Sequence, residues 1–282
     1  MPRRYQWFAV GILLIWVSSS IAGTKTRLGK HWERASRISI GQVQYSQYDT
    51  LLKKYVDRSG DVNYGAWQGS ATDLQALDDF LGHLSQADRR KPATHSAQLA
   101  FWINAYNAVT LKGILSEYPT TSIIRHAAKL TGYNIWHDLL LLVGGSEYSL
   151  DHMEHQILRK MNEPRIHFAI VCASRSCPKL RDEAYLPGKL SEQLEDNTKT
   201  FFSDSRNFQY DPANRRMELS KILKWFGSDF GSGESQLLSS IAGYLPTPAA
   251  QNFARSGRVR VFYLDYDWEL NDQKIAAGAK IP

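Results

Sequence analysis

The chain lacks most of the short motifs that identify an enzyme class. Its 282 residues contain no glycine-rich phosphate-binding loop and no G-x-S-x-G sequence, so neither a nucleotide-binding loop nor a serine nucleophile elbow is indicated. Cysteine is scarce, because Cys172 and Cys177 are the only two. No internal repeat or low-complexity tract occurs. A hydrophobic fraction of 43% and an aromatic fraction of 12% still indicate a globular protein with a core.

A hydrophobic run long enough for a membrane-spanning helix is also missing. The apolar run Trp7–Val17 has 11 residues, whereas a spanning helix needs about 20. Two arginines precede it and small residues follow it up to Ala22, which is typical of a secretory signal peptide. We therefore predict a signal peptide at 1–22 and an exported protein, periplasmic or extracellular after cleavage near Ala22. An uncleaved anchor is the alternative, and no cysteine follows the run that could carry a lipid.

The basic charge is confined to the start of the mature chain. Removing two arginines with residues 1–22 changes the net charge from +6 to 6 − 2 = +4. Residues 23–37 carry five basic side chains and one acidic one, 5 − 1 = +4, so the rest of the chain is balanced. We interpret residues 23–43 as a solvated basic leader or linker that contacts anionic lipid at most transiently after export. Nucleic acid is not expected as a partner, because no binding motif accompanies this charge.

The hydrophobic pattern predicts one α+β domain at 44–270, followed by a C-terminal tail at 271–282. The segment 96–117 is apolar on nearly all sides and should form the central buried helix. A mostly antiparallel sheet and flanking helices should surround it, and a papain-like arrangement is one way to combine them. Further predicted segments are helices at Tyr48–Val56, Leu74–Leu84, 151–160, 221–227 and 234–244, hairpins at 139–149 and 207–220, and strands at Ile166–Cys172 and 258–268.

The predicted helix at 151–160 carries a carboxylate on its apolar face. Glu154 lies in the middle of that face, and His155 and Arg159 flank it four residues apart. A carboxylate facing a core is costly unless it is paired, and its pKa shifts with its surroundings. Glu154 is therefore either a buried carboxylate paired with arginine or backbone amides, or part of a functional site.

Three further polar side chains occur inside apolar segments. His167 lies in the predicted strand Ile166–Cys172, as a satisfied core histidine or as a general base. Asn104 and Asn107 share one face of the most apolar helix. Buried amides need partners, so these two either hold a loop in place, orient a catalytic group or bind substrate.

The two cysteines allow two interpretations that exclude each other in the resting protein. In an oxidising compartment, Cys172 and Cys177 would form one disulfide. Alternatively, Cys177 precedes Pro178 and would begin a helix, where backbone amides favour a thiolate. Cys177 would then be a nucleophile with His167 as the base and Glu154 or Asn104 as the orienting group, and Cys172 would be a buried spectator. The pair could also cycle as a redox switch.

A metal site is not expected. His152 and His155 are three residues apart with Glu154 between them, which is neither H-E-x-x-H nor another common zinc spacing.

A set of ordered motifs resembles the uncharacterised family called domain of unknown function family 547. The motifs are GDVNY, LAFWINAYNAVTL, YP, SLDHMEHQILR, RIHFAIVCASRSCPKLRDEAY, FGSDF and YDWELN, between about Tyr45 and Asn271. The resemblance implies exported bacterial relatives, and plant and animal relatives with coiled-coil or glutaredoxin-like segments. It implies no cofactor and no settled activity. Its signature positions in this chain are Asn104, Asn107, Glu154, His155, Arg159, His167, Cys172 and Cys177.

Two hypotheses of function follow. One is an exported thiol hydrolase or acyltransferase with Cys177, His167 and Glu154 or Asn104 as catalytic residues, and His155, Arg159 and Asn107 as binding residues. Its partner would be a small-molecule or peptide substrate. The other is a binding or scaffold module pinned by a Cys172–Cys177 disulfide, with a protein partner.

Overall fold

The computed structural model describes residues 25–126 and 134–278. The predicted signal peptide at 1–22 lies outside these ranges. Within them, no helix is both long enough and apolar enough to cross a bilayer.

The described residues form an α+β fold with small mixed sheets, so the predicted class is confirmed. The papain-like arrangement is not confirmed. The helices are α1 (Ser46–Tyr55), α2 (Tyr64–Gln68), α3 (Ala71–Leu84), α4 (His95–Glu117), α5 (Leu190–Ser203), α6 (Lys221–Trp225), α7 (Glu234–Ile241), α8 (Pro248–Arg255) and α9 (Gln273–Ala276). The strands are β1 (Thr26–Leu28), β2 (Ile38–Ser39), β3 (Ala87–Asp88), β4 (Leu139–Val143), β5 (Ser146–Ser149), β6 (Phe208–Asp211), β7 (Arg216–Leu219) and β8 (Arg260–Tyr263).

Helix α4 is the central buried helix that its composition predicts. Thr94 caps its start, because the Oγ1 of Thr94 accepts the backbone N–H of Ala97 at 3.2 Å. Its aromatic and aliphatic side chains are buried along almost the whole length, and α1, α2, α3 and the β4–β5 hairpin pack around it. A helix without a polar face is stable only when other elements cover it on all sides, as they do here.

The sheets mix both strand directions. The hairpins β4–β5 and β6–β7 are antiparallel as predicted, whereas β1 pairs with β4, β2 with β3, and β7 with β8 in parallel. The first two parallel pairs use the segment predicted as a solvated leader. That prediction is wrong for residues 25–43, because they supply β1 and β2 and bury Leu28, Ile40 and Val43 in the main core.

A second apolar cluster packs beside the main core. It joins α5 to the β6–β7–β8 sheet and to α6, α7 and α8. Phe168 is fully buried at its edge, against Phe201, Phe202 and Phe230. The segment Pro164–Phe168 is thereby fixed between helix α5 and the main core.

The predicted strand Ile166–Cys172 is wrong. Residues Pro164–Phe168 form a 3-10 helix, and the chain continues to Cys172 without regular structure. Pro164 favours the first helical turn, and the carboxylate of Glu163 accepts the backbone N–H of Arg165. The apolar residues of this segment alternate, as they do in a strand. A short segment that is buried on all sides is apolar in every direction, so its pattern does not distinguish a strand from an irregular segment.

Buried amide side chains hold this irregular segment in place. Asn107 donates to the backbone oxygen of Ala169 at 3.0 Å and accepts the N–H of Val171 at 2.9 Å. Asn104 makes the same pair of bonds with Tyr185, at 2.7 and 3.0 Å. These amides replace the neighbouring strand that would otherwise satisfy the buried backbone.

The segment after Cys177 is not helical either. Regular helix begins only at Leu190, where α5 starts. The expected helix N-terminus at Cys177 is therefore wrong, and Cys177 receives no stabilisation from a helix dipole.

Candidate active site

Five of the residues singled out in the sequence line one cavity of about 240 Å³. They are Glu154, His155, His167, Cys172 and Cys177. The first two come from the irregular helix after β5, and the others come from the segment between Pro164 and α5. The fold thus brings the predicted carboxylate, histidine and cysteine side chains together.

The two cysteines are free thiols in direct contact. Their Sγ atoms lie 2.7 Å apart, longer than the covalent S–S bond of about 2.05 Å. The predicted disulfide is therefore not present in this structure. The Sγ of Cys177 also accepts the backbone N–H of Cys172 at 2.8 Å. Two thiols this close share protons, so they titrate as a pair.

The negative charge of this pair belongs on Cys172. The hydrogen bond from Cys177 lowers the pKa of Cys172 to about 6, helped by hydrogen bonds from Ser174 and Tyr266 and opposed by burial. The Oγ of Ser174 lies 3.1 Å from the Sγ of Cys172, and the Tyr266 hydroxyl lies 3.3 Å from it. Burial and the neighbouring Cys172 thiolate raise the pKa of Cys177 well above its ordinary value. Cys177 therefore keeps its proton and donates it.

The backbone next to Cys172 has a strained conformation. Ala173 has φ = 57°, in the left-handed region that residues with a Cβ rarely adopt. Such a conformation costs about 1–3 kcal/mol and persists only where the surroundings enforce it. Here the N–H of Asn271 donates to the backbone oxygen of Ala173, and the turn brings the hydroxyl of Ser174 back to the sulfur of Cys172.

Glu154 is a buried carboxylate with a single hydrogen bond from the described part of the chain. Its Oε2 accepts the hydroxyl of Tyr106 at 3.1 Å. Burial raises the pKa of Glu154, the Cys172 thiolate raises it further, and His155, Tyr106 and Arg159 oppose the shift. Tyr106 keeps its proton, since burial raises its pKa well above the ordinary value. The pKa of Glu154 is therefore raised in the environment next to Cys172.

Glu154 and His155 both reach the cavity because their helix is widened. Residues His152–Ile157 form a π-helical turn, followed by a 3-10 turn over Leu158–Met161. A π-helix has more residues per turn than an α-helix, so successive side chains diverge less around its axis. The predicted helix at 151–160 therefore exists, with an irregular geometry that is frequent at functional sites.

A chain of polar contacts supports the histidines. Arg159 donates to both oxygens of Asp229, at 2.6 and 2.7 Å, and to the Nδ1 of His155 at 3.1 Å. Asp229 also binds the Nε2 of His167 at 2.8 Å. Arg159, followed by His167, holds the pKa of Asp229 at about 2 against the effect of burial. Burial lowers the pKa of His167 more than Asp229 raises it, so the His167 ring stays neutral at neutral pH.

Aromatic rings form the remaining walls. Trp225, Tyr266 and Trp268 contact one another with ring centroids 4.4–5.8 Å apart, and Trp225 is 46% exposed. Phe226 stacks on His167 at 4.3 Å. The thiol pair therefore faces a space with largely apolar walls, which suits an apolar portion of a ligand.

Three of the predicted site residues do not line this cavity. Asn104 and Asn107 bind backbone groups of Tyr185, Ala169 and Val171, as described above, so neither amide orients a cysteine or a histidine. Arg159 lies behind the cavity and acts on it through His155 and Asp229.

Sequence reasoning did not select four residues that contact the predicted ones. They are Tyr106 on Glu154, Asp229 on His167, and Ser174 and Tyr266 on Cys172. Each lies inside a motif of the resemblance, in LAFWINAYNAVTL, FGSDF, RIHFAIVCASRSCPKLRDEAY and YDWELN respectively. Tyr106 suits an apolar helix through its ring, and the other three are polar side chains in polar segments, so none of the four breaks a local rule and only these motif strings could have pointed to them.

No group of three or more His, Cys, Asp or Glu side chains is arranged to hold a metal ion within residues 25–126 and 134–278.

Comparison with known protein families matches one segment of the chain. Residues 91–202 match the model of a family described as a protein of unknown function, DUF547. The matched segment includes Glu154, His167 and both cysteines, and it ends before Asp229 and Tyr266. No curated protein matches, and no solved structure matches. The resemblance expected from the sequence is thus confirmed for this segment: over residues 91–202 the chain is similar to the DUF547 family, whose function is unknown.

Proposed function

We propose that this protein is a thiol-dependent acyl hydrolase or acyltransferase with Cys172 as its nucleophile. The observation that carries the proposal is the set of three polar contacts to the Cys172 sulfur on the wall of the cavity, from the Cys177 thiol and from the hydroxyls of Ser174 and Tyr266. With a pKa of about 6, Cys172 is mostly a thiolate at neutral pH, and the thiolate is the reactive form. Cys177, the nucleophile expected from the sequence, becomes the main hydrogen-bond donor to that thiolate.

The reaction would proceed through a thioester. The Cys172 thiolate attacks the carbonyl carbon of an ester, thioester or amide, and the bond to the leaving group breaks. Glu154, whose protonated form is favoured by burial, supplies the proton that the leaving group takes up. Water or another acceptor then attacks the thioester and gives a proton to Glu154, which restores both the carboxylic acid and the Cys172 thiolate.

His167 has a supporting role in this proposal. Its Nε2 binds Asp229, which fixes the ring orientation, and its neutral state leaves Nδ1 able to accept a hydrogen bond from the attacking water or the substrate. The aromatic walls would hold the apolar part of the acyl group or of the leaving group.

Acylation by an activated ester tests the assignment. The purified protein is mixed with 4-nitrophenyl butyrate, and the modified residue is located by mass spectrometry of the intact protein and its peptides. We expect a butyryl group on Cys172, its loss in Cys172→Ser, and slower acylation still at Cys172 in Cys177→Ser. Acylation of Cys177 in the wild type, or undiminished acylation of Cys172→Ser, would refute Cys172 as the nucleophile.

We also propose that the protein is exported. The charged start, the 11-residue apolar run and the small residues up to Ala22 support a cleaved signal peptide. N-terminal sequencing of the protein from the periplasm or medium should find a chain that begins near Gly23. A chain that retains Met1 and fractionates with the membrane would favour the uncleaved anchor.

A disulfide-pinned binding module is the second candidate. The 2.7 Å between the two sulfurs favours it, because little movement is needed to close a disulfide in an oxidising compartment. Alkylation before and after reduction, read by intact mass on native protein, separates the two functions. Two free thiols support the acyl-transfer proposal, and no free thiols together with a cross-linked Cys172–Cys177 peptide support the binding module.

A further inference from the structure

A second cavity, of about 190 Å³, borders the thiol pair. Cys177 and Pro178 line both this cavity and the aromatic one. Its remaining walls come from three separate stretches, 58–61, 174–179 and 200–207, and from Asn271. The two cavities therefore share the wall formed by Cys177 and Pro178.

The walls of the second cavity carry an excess of positive charge. They include four basic side chains and two acidic ones: Arg58, Arg175, Lys179 and Arg206, with Asp61 and Asp204. Arg206 is bound by Asp204 through bonds of 2.5 and 2.9 Å. Arg58 and Lys179 form no ion pair with any residue in the ranges 25–126 and 134–278. Two cationic groups are thus available to a ligand.

A buried amide adds a neutral hydrogen-bonding group. Asn207 lines the cavity and is only 4% exposed. The buried Oδ1 of its side chain has no hydrogen-bond partner among the described residues. An amide oxygen only accepts hydrogen bonds, so this atom can bind a hydroxyl or N–H group of a ligand and cannot bind an ionised oxygen.

We propose that this second cavity binds the anionic group of the substrate, a carboxylate or a phosphate, while the acyl carbon of the same molecule reaches Cys172. The substrate class therefore becomes acyl compounds with a negatively charged group, and this assignment rests on the thiol function proposed above. Guanidinium and ammonium groups are the usual ligands of such oxyanions. Arg58 and Lys179 provide the positive charge and the hydrogen-bond donors for this group.

Equilibrium binding of two small anions tests the cavity directly. Inorganic phosphate and succinate are titrated separately into the full-length protein at constant ionic strength, with binding followed by calorimetry. We expect saturable binding of at least one of them, and the tighter one identifies the anion type. Lys179→Gln should weaken that binding about tenfold, because one charge-assisted contact is lost. Arg58→Gln, at an exposed position, should weaken it in the same direction and provides a second variant if Lys179→Gln folds poorly.

The matched control is Lys160→Gln, which removes an exposed lysine distant in sequence that bonds only Gln156. It should leave anion binding unchanged. No saturable binding of either anion to the wild type, or equal weakening by Lys160→Gln, would overturn the anion site.

Matched esters test whether the anion belongs to the substrate. Acylation rates of Cys172 are compared for 4-nitrophenyl half-esters of succinic, glutaric and adipic acid and for uncharged 4-nitrophenyl esters of equal chain length. We expect at least one half-ester to react about tenfold faster than its uncharged partner, and Lys179→Gln to remove that preference. Equal rates for all three pairs would overturn the inference and leave the proposed function standing. No acylation by any ester would instead overturn the proposed function, whatever the anion titration shows.

Discussion

Arg159 holds Asp229 through two hydrogen bonds, from Nε at 2.6 Å and from Nη2 at 2.7 Å. The two residues are 70 positions apart, on the irregular helix after β5 and on the 3-10 turn Gly227–Asp229. These two hydrogen bonds fix the position of the Asp229 carboxylate, which binds the Nε2 of His167. The orientation of His167 therefore depends on a contact between distant parts of the chain.

This relationship predicts a specific pH dependence of stability. Arg159 and His167 lower the pKa of Asp229 from 3.8 to about 2. A carboxyl group with a lowered folded-state pKa stabilises the fold above its unfolded pKa, and this contribution is lost as the pH falls through the folded one. The free energy of unfolding should thus fall between about pH 4 and pH 2 by more in the wild type than in Asp229→Asn. Denaturant unfolding measured at several acid pH values checks this. Parallel curves for the two proteins would contradict the stabilising role of Asp229.

The thiolate of Cys172 should be visible in a titration. Ultraviolet absorbance of the thiolate should rise with a midpoint near pH 6 in the wild type, and this rise should be absent in Cys172→Ser. Cys177→Ala removes the first of the donors, so the midpoint should move up towards the ordinary cysteine value of about 8.5. Ser205→Ala, an exposed serine elsewhere in the chain, is the control and should leave the midpoint unchanged. A midpoint near the ordinary value in the wild type would remove the basis for Cys172 as a nucleophile.

Asn107 should matter for stability and not for chemistry. Asn107→Ala leaves the backbone oxygen of Ala169 and the N–H of Val171 without their partner in a buried segment. Each unsatisfied group costs about 1–3 kcal/mol, so the loss of both partners should lower the free energy of unfolding by about 2–6 kcal/mol. Ser116→Ala, on the exposed side of the same helix, should change it by less than about 0.5 kcal/mol. Chemical unfolding of the wild type and of the two variants measures these free energies. Similar losses of stability in both variants would show that the Asn107 amide is not a critical support of the buried backbone.

Substitution of Glu154 should separate acylation of Cys172 from hydrolysis of the resulting thioester. With a 4-nitrophenyl ester, the leaving group needs no proton, so Glu154→Gln should still be acylated at Cys172. In the wild type, acylation removes the Cys172 charge that raises the pKa of Glu154, so Glu154 can release its proton to solvent and then accept one from the attacking water. Glu154→Gln has no such base, so the acyl-enzyme should accumulate and turnover should fall by about 10²–10⁴-fold. A stopped-flow burst of one nitrophenolate per protein without steady-state release would be the signature. Glu192→Gln, an exposed carboxylate on α5, is the control. Wild-type turnover in Glu154→Gln would exclude Glu154 as the general base.

The pattern of apolar residues was sufficient to predict α1, α3, α4 and both hairpins. Helix α4 is apolar at every angle, and only a central position can bury such a surface. The same reasoning failed for Ile166–Cys172, because a segment enclosed on all sides has no periodic signal to distinguish strand from coil. Asn104 and Asn107, whose buried amides demanded partners, hold this segment and the chain near Tyr185.

Five residues singled out in the sequence line the candidate site, and the fold decides which groups they contact. The sequence shows a carboxylate, a histidine and two cysteines inside apolar segments. Burying such groups costs free energy unless they have partners, so the sequence alone indicates that these side chains need partners. The sequence alone does not predict which of the two cysteine sulfurs carries the negative charge. The location of the charge depends on Tyr266, 94 residues from Cys172, and on the left-handed turn at Ala173, which brings Ser174 back to the sulfur. Hydrogen-bond donors act over about 3 Å, and only tertiary structure brings donors from distant positions to that distance.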